Sequence, residues 1–397
     1  MRDPVSFLGE EYRALVDKEL DWRLRVLEGA SRPRCRVDGR DVIMLCSNNY
    51  LNLSNHPKVK EAAIAAVRSH GAGSGSVRPI AGNMDLHIEL ELRLAAFKGV
   101  DASLVYQTGF AANAGLIPQL AGSGDLIVSD ELNHGSIIDG VRLSKASRTV
   151  YRHCDHVHLE EVLTEAEEHT PPHRRILIIT DGVFSMDGDM APLDRIASVA
   201  AKHGSMVYVD DAHGEGVLGE GGRGIVSHFG LKRDTVHVEM GTFSKAFGVV
   251  GGHISGSKEL VDFALNMSRT WLLSGSHPPA VAAACIAAID VLETEPEHVK
   301  DLWRNTEYFR KGIQDIGFDT GKSVTPIVPI MIGRSAAAKT FSQRLYELGV
   351  FALPIVFPMV SQDGARIRTI MNAALTDEDL DEALCAFEKT GKELDLV

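Results

Sequence analysis

Between residues 103 and 254 the chain carries seven short runs that are apolar almost throughout: 103–107, 125–129, 149–152, 175–180, 206–210, 236–240 and 248–254. A strand with one wet face alternates apolar and polar residues, whereas a run that is apolar on both sides belongs to a sheet covered on both faces. Helical patterns at 57–69, 110–120, 134–145, 158–169 and 193–203 precede or separate these runs. Strand–helix alternation of this kind predicts an α/β fold with a mostly parallel central sheet. Past residue 278 the order changes. Helical patterns at 278–293, 297–316, 336–348 and 376–394 surround extended runs at 327–332, 350–358 and 366–371, which reads as a smaller C-terminal α+β domain. Residues 5–29 read as one amphipathic helix through Leu8, Tyr12, Leu15, Val16, Leu20, Trp22 and Leu24. The expected division is an N-terminal helical segment at 1–45, a large α/β domain at 46–277 and a small domain at 278–397, with no long linker or internal repeat.

Composition removes several function classes. A net charge of −13 over 397 residues argues against a general nucleic-acid surface, although a local basic pocket for a small anion remains compatible with it. The five cysteines, Cys35, Cys46, Cys154, Cys285 and Cys385, are odd in number and widely spaced. Neither a disulfide framework nor a thiolate metal site is expected from them. With no apolar leader at the start and no run able to span a bilayer, the chain is expected to be cytoplasmic.

Chemistry concentrates where the runs end, which is where an open α/β sheet binds its ligands. Lys245 stands in Gly241-Thr242-Phe243-Ser244-Lys245, among small residues and just after a strand. A lysine in such surroundings is poorly explained as a solvated cation, and a desolvated lysine amine is a nucleophile able to form a Schiff base. Tyr106-Gln107-Thr108-Gly109-Phe110 closes a strand and opens a helix, whose first amides can hold a phosphate. His134, following Asn133, reads alone as a helix cap or a core histidine. The Asp181–Gly188 stretch (DGVFSMDG), with Ser185, reads alone as a turn-rich loop. Asp210 and His213, in Asp210-Asp211-Ala212-His213, suit either a solvated turn or half of a metal site, but no second ligand cluster has the spacing of a metal centre and no metal is expected. Gly219–Gly224 (GEGGRG) matches the GxGxxG pattern formally, but it does not join a first strand to its helix, so a dinucleotide site is not expected. Taken together, a lysine, a strand-end aspartate, a histidine and a glycine–helix anion site are the parts that pyridoxal phosphate requires.

These motifs identify a wider resemblance. Ser47-Asn48-Asn49-Tyr50-Leu51, residues 71–82 (GAGSGSVRPIAG), residues 132–140 (LNHGSIIDG), DGVFSMDGD, DDAH, GEGGRG, GTFSK and Ala365-Arg366-Ile367-Arg368 together resemble the α-oxoamine synthases. These are pyridoxal phosphate enzymes of fold type I, homodimers with shared active sites, which condense an amino acid with an acyl-CoA. The resemblance runs from about residue 5 to the C-terminus. It implies that Lys245 carries the cofactor as a Schiff base and later removes the α-proton of the amino acid. It further implies that Asp210 binds the pyridine nitrogen and His134 stacks on the ring. His213 and Ser185 would contact the 3′-oxygen, and Thr108, Gly109, Phe110 and Thr242 would surround the phosphate. Ser274 and Ser276 would reach the phosphate of a partner subunit, while Asn48 and Arg368 would hold the substrate carboxylate.

The tail at 351–372 looks most like the glycine C-acetyltransferase branch, which implies glycine and acetyl-CoA as substrates and 2-amino-3-oxobutyrate as product. The alternative is a longer acyl-CoA or another amino acid, as in 8-amino-7-oxononanoate synthase or serine palmitoyltransferase. The chain departs from the family pattern at Asn52, Gly135, His253, Thr270 and Trp271. Thr270 and Trp271 are expected near the substrate entrance, which leaves the acyl-chain preference open.

Overall fold

The computed structural model describes residues 4–397 except 19, 23 and 233. Its largest sheet has seven strands. From edge to edge they are Ala102–Tyr106, Gly252–Gly256, Val238–Thr242, Met206–Asp210, Ile176–Asp181, Leu126–Asp130 and Ser147–Tyr151. All neighbours are parallel except around Gly252–Gly256, which runs antiparallel to both Ala102–Tyr106 and Val238–Thr242. The connection at 243–251 explains that exception. It is shorter than the crossover of a dozen or more residues that a parallel neighbour needs, so the chain must turn straight back.

The apolar runs conceal a strict alternation. Leu104, Tyr106, Ile127, Leu177, Ile179 and Tyr208 face one core, shared with helix Gly109–Leu120. Val105, Val128, Ile178, Val207 and Val209 face the other, shared with helices Asp85–Lys98, His156–Glu167, Leu193–Lys202 and Pro279–Thr294. Both sides of the inner strands are therefore largely dry, whereas the edge strand Ser147–Tyr151 leaves most of its residues exposed. Helices Asp85–Lys98 and Lys258–Met267 are additions to the sequence reading.

The N-terminal region differs from expectation. The helix spans Ser6–Asp17 rather than 5–29, and it buries none of its residues. The segment expected to be helical up to 45 continues instead as strands Leu27–Glu28, Arg34–Val37 and Arg40–Met44. The last two form a hairpin about Asp38 (φ 47°) and Gly39 (φ 76°). An Asp-Gly pair with both residues at positive φ is the turn that matches strand twist, and it outweighs the helical periodicity around it. Arg40–Met44 then pairs in parallel with Val350–Phe351, which ties the N-terminal region to the C-terminal one. The run expected as one strand at 350–358 divides between two sheets, because Leu353–Ile355 joins Ala365–Ile370 and Ile327–Gly333. All five cysteines are free thiols. Among the described residues no helix is long and apolar enough to cross a membrane.

Candidate active site

The parallel strands end together, and the residues just beyond them line a cavity of about 250 Å³. Its walls include Thr108, Gly109, Phe110, His134, Ser185, Asp210, His213, Thr242 and Lys245. Each was singled out in the sequence. Ser274, Ser276, Asn48 and Arg368 are not among the residues that line it. Arg368, on strand Ala365–Ile370, still reaches its edge, donating from Nη1 to the Ser185 carbonyl at 3.3 Å. Asn48 is half-buried, and its side-chain oxygen lacks a hydrogen-bond partner. Ser276 is held away from the cavity by bonds to the 71–82 segment: its hydroxyl pairs with Ser74 at 2.6 Å and its amide donates to the Ser76 carbonyl at 3.0 Å.

Lys245 projects from the tight turn that reverses the sheet. Backbone bonds close that turn, from Gly248 N to Lys245 O at 2.9 Å and from Phe243 N to Gly251 O at 3.1 Å. Gly248 has φ 69°, and a Cβ there would collide with the Ser54 backbone, so the turn depends on glycine at this point. Burial pulls the Lys245 amine down from the usual lysine value to about 8; Asp210 and Asp181 oppose that fall and Arg368 adds to it. In the cofactor-free protein, reaction of Lys245 with an amine-directed reagent should therefore have its midpoint near pH 8. The charged amine resists below that point and the free base reacts above it. Peptide mapping across a pH series measures this, and a midpoint above about 10, the ordinary lysine value, would refute the desolvated turn.

Asp210 is buried, and both of its oxygens are held. Asn113 Nδ2 donates to Oδ2 at 2.8 Å, and the Ala212 amide donates to Oδ1 at 3.1 Å. The Asn113 amide is itself oriented, because its oxygen accepts from the Tyr208 hydroxyl at 2.7 Å. Asp181 lies opposite Asp210 on the adjacent strand. Burial, and then the charge on Asp210, pushes the Asp181 carboxyl well above its usual range. Its Oδ2 accepts from the His134 amide at 2.7 Å.

His134 is fixed through Nδ1, which accepts from the Ser136 amide at 3.2 Å and pairs with the Ser136 hydroxyl at 2.7 Å. Burial lowers its pKa, opposed by Asp210 and aided by Lys245, so a flat and mostly neutral ring covers the cavity. Burial also lowers His213 well below the histidine range, with Lys245 and Arg368 contributing. Its Nδ1 pairs with the Tyr50 hydroxyl at 2.8 Å; with that hydroxyl donating, the proton sits on Nε2. Tyr50, Ser136 and Asp181 stood within motifs of the sequence without a role being read for them, and Asn113 stood in none.

Three of the noted departures have clear places. His253 Nε2 pairs with Glu215 at 2.8 Å, beside Lys98, which reaches Glu239 at 3.0 Å and Glu215 at 3.2 Å, all deeply buried. Burial pushes Glu215 up, but His253 and Lys98 overcome it and hold the carboxyl at about 2. Trp271, by contrast, packs in the core with Leu104 and Tyr106, and the Thr270 hydroxyl donates to the Ala111 carbonyl at 2.6 Å. Neither lines the cavity, which corrects their expected place at an entrance. The buried Trp271 ring and the backbone-directed Thr270 hydroxyl serve helix packing instead.

Comparison with known proteins agrees with this geometry. The chain matches the family described as aminotransferase class I and II over residues 40–387. It is 53% identical over 393 residues to the 8-amino-7-oxononanoate synthase of Symbiobacterium thermophilum, covering 99% of each chain. It is 49% identical over 397 residues to 8-amino-7-oxononanoate synthase 1 of Bacillus subtilis, covering 100% of each. Among solved structures, the serine palmitoyltransferase of Sphingomonas wittichii superposes with a TM-score of 0.93 at 30% identity, covering 100% of both chains.

Proposed function

Because the chain belongs to the aminotransferase class I and II family, among its α-oxoamine synthases, we propose that it makes an 8-amino-7-oxononanoate-type product from a small amino acid and an acyl-CoA. The observation that carries this reading is the end-to-end identity of 53% to a protein of that name. The expected glycine and acetyl-CoA reaction gives way to what had been the alternative, since the relatives that match across the whole chain carry the other name. A product of that name is a nine-carbon acid with an amine beside a ketone. Disconnection between those two carbons leaves alanine without its carboxylate and the thioester of a seven-carbon diacid. Alanine and that thioester therefore yield the product, carbon dioxide and free CoA.

Pyridoxal phosphate is the cofactor. The donor set suits it. Gly109 and Phe110 open a helix whose first amides have no intrahelical acceptor, Asp210 offers an oriented carboxylate, and Lys245 a partly deprotonated amine. When bound, the cofactor takes up the substrate amine and draws electrons from its α-carbon. Lys245 would hold the cofactor and then take the α-proton. Asp210 would face the pyridine nitrogen, with Asn113 and Ala212 keeping its oxygens in place. His134 would cover the ring without adding charge, and His213 and Ser185 would contact the ring oxygen. Thr108 and Thr242 would join the helix amides at the phosphate. Arg368, with Asn48, would grip the amino-acid carboxylate through its planar fork.

A second cavity of about 460 Å³ shares His134, Asp181 and Ser185 with the first and has apolar walls at Leu132, Phe184, Met186, Met359 and Val360. It offers room for an acyl chain. We read the active unit as a homodimer of the cytoplasm. Two observations support it: Ser274 and Ser276 do not line their own cavity, and Phe7, Leu8, Tyr12 and Trp22 lie exposed and in want of cover.

A panel of glycine, alanine and serine against acetyl-CoA, heptanedioyl-CoA and palmitoyl-CoA, followed by thiol release, tests the reading. Alanine with heptanedioyl-CoA should give the highest kcat/KM, by roughly tenfold or more over glycine with acetyl-CoA. The reverse order would return the chain to the acetyltransferase branch.

A further inference from the structure

Away from the cavity, three helix ends bring two imidazoles and a carboxylate together. His56 caps the start of helix Pro57–His70, Glu295 the end of Pro279–Thr294, and His298 lies in the first turn of Glu297–Ile316. Their ligand atoms all lie within 4.8 Å of one another. Glu295 Oε2 is 3.3 Å from His56 Nε2 and 3.4 Å from His298 Nε2. Ligands held about 2.1 Å from a tetrahedral zinc stand about 3.4 Å apart, so both distances match an edge of that polyhedron. The other carboxylate oxygen, Oε1, is taken by Lys58 Nζ at 2.6 Å, which orients Glu295 as a one-oxygen ligand in the way outer partners orient metal ligands.

We propose that His56, Glu295 and His298 form a binding site for a divalent transition metal of the zinc type, with a fourth position open to water. Two imidazoles and one carboxylate are a borderline-soft donor set that selects zinc, copper or nickel over calcium or magnesium. The side chains are partly sheltered, at 15%, 22% and 24% exposure. Helices Pro57–His70 and Pro279–Thr294 pack together, and Glu297–Ile316 follows the second almost at once in the chain, so the backbone positions are set before a metal arrives. His56 Nδ1 is buried without a hydrogen bond, and the His56 ring meets Glu295 and stands edge-on to the His298 ring, with 5.6 Å between centroids. The other such group among the described residues, Asp130, His153 and Cys154, is closed by comparison. Both nitrogens of His153 are engaged there, by Asp130 at 3.0 Å and Asp189 at 2.8 Å. A bound ion would tie the segment following Asn48–Tyr50 to the helix pair 279–316, bracing the wall behind the substrate side.

The test uses the holoenzyme, stripped with a chelator and titrated with Zn²⁺ against a chromophoric indicator. One equivalent should bind, and the thermal midpoint should rise with Zn²⁺. His298→Gln and Glu295→Gln should each weaken binding by roughly tenfold or more. The His56 side chain makes no capping bond and Asn is favoured at an N-cap, so the fold of His56→Asn can be matched to the parent by the metal-free melting curve. The paired variant His56→Asn with His298→Gln should bind no equivalent and show no Zn²⁺-dependent rise. Stoichiometric binding that survives in the paired variant, or that is lost in Cys154→Ala, would overturn the proposal.

Discussion

Lys245→Ala should abolish the visible absorption of the lysine-held cofactor and lower CoA release by roughly 10³-fold or more. It removes the covalent anchor and the proton acceptor in one step, and a positioned base alone is worth about 10²–10⁴. The fold should survive. The turn around Lys245 is closed by backbone bonds at Gly248 and Gly251, none of which uses the side chain. Spectra of the purified variant, thiol release and a melting curve make the comparison. Turnover within about tenfold of the parent, with the absorption retained, would place the anchor on another amine. The loss should exceed that of any neighbouring substitution, because Lys245 is the only amine among the residues that line the cavity.

Asp210→Asn should come second, with kcat down by on the order of 10²–10³. An amide cannot keep a pyridine nitrogen protonated as an anion can. The replacement, though the same shape, also meets a hydrogen-bonding conflict. Both oxygens of Asp210 accept, one from Asn113 and one from the Ala212 amide. Asn113 cannot turn its oxygen around without giving up Tyr208. An asparagine therefore sets a donor against a donor on one side, at a cost of about 1–3 kcal/mol in stability. Asp210 is the largest influence raising the Lys245 amine. In this variant the lysine midpoint should accordingly fall below about 8, the value with Asp210 in place. A variant with kcat within about threefold of the parent and an unmoved lysine midpoint would mean that Asp210 does not face the reacting ring.

Much of the site was readable in the chain because the chemistry sits at strand ends. An apolar run followed by Asp, His or Lys marks both the end of a strand and a polar group at the sheet's open edge. Thr108, His134, Asp210 and Lys245 were visible in that way, and they converge on one cavity. The supporting groups were not. Asn113 sits mid-helix, and nothing in its neighbours says that it meets Asp210 and Ser136. Tyr50 reads as part of a loop until His213 is found against it. The Asp38-Gly39 hairpin signal was present but overshadowed by the helical periodicity before it, and the reversed strand Gly252–Gly256 follows from a connection length that only makes sense once both strands are placed.

The sequence by itself determined the layered α/β architecture, the identity of the chemical groups and their positions at strand ends. Those properties are local: they depend on periodicity over a few residues and on which side chain ends a run. The tertiary structure decided what each group is able to do. Burial pulls the Lys245 amine and the His213 imidazole down and pushes the Asp181 carboxyl up because it raises the cost of charge, and neighbours from distant segments add to or oppose each shift. The convergence of His56 with Glu295 and His298 is of the same kind. Desolvation and proximity are properties of the packed chain, and no spacing along it encodes them.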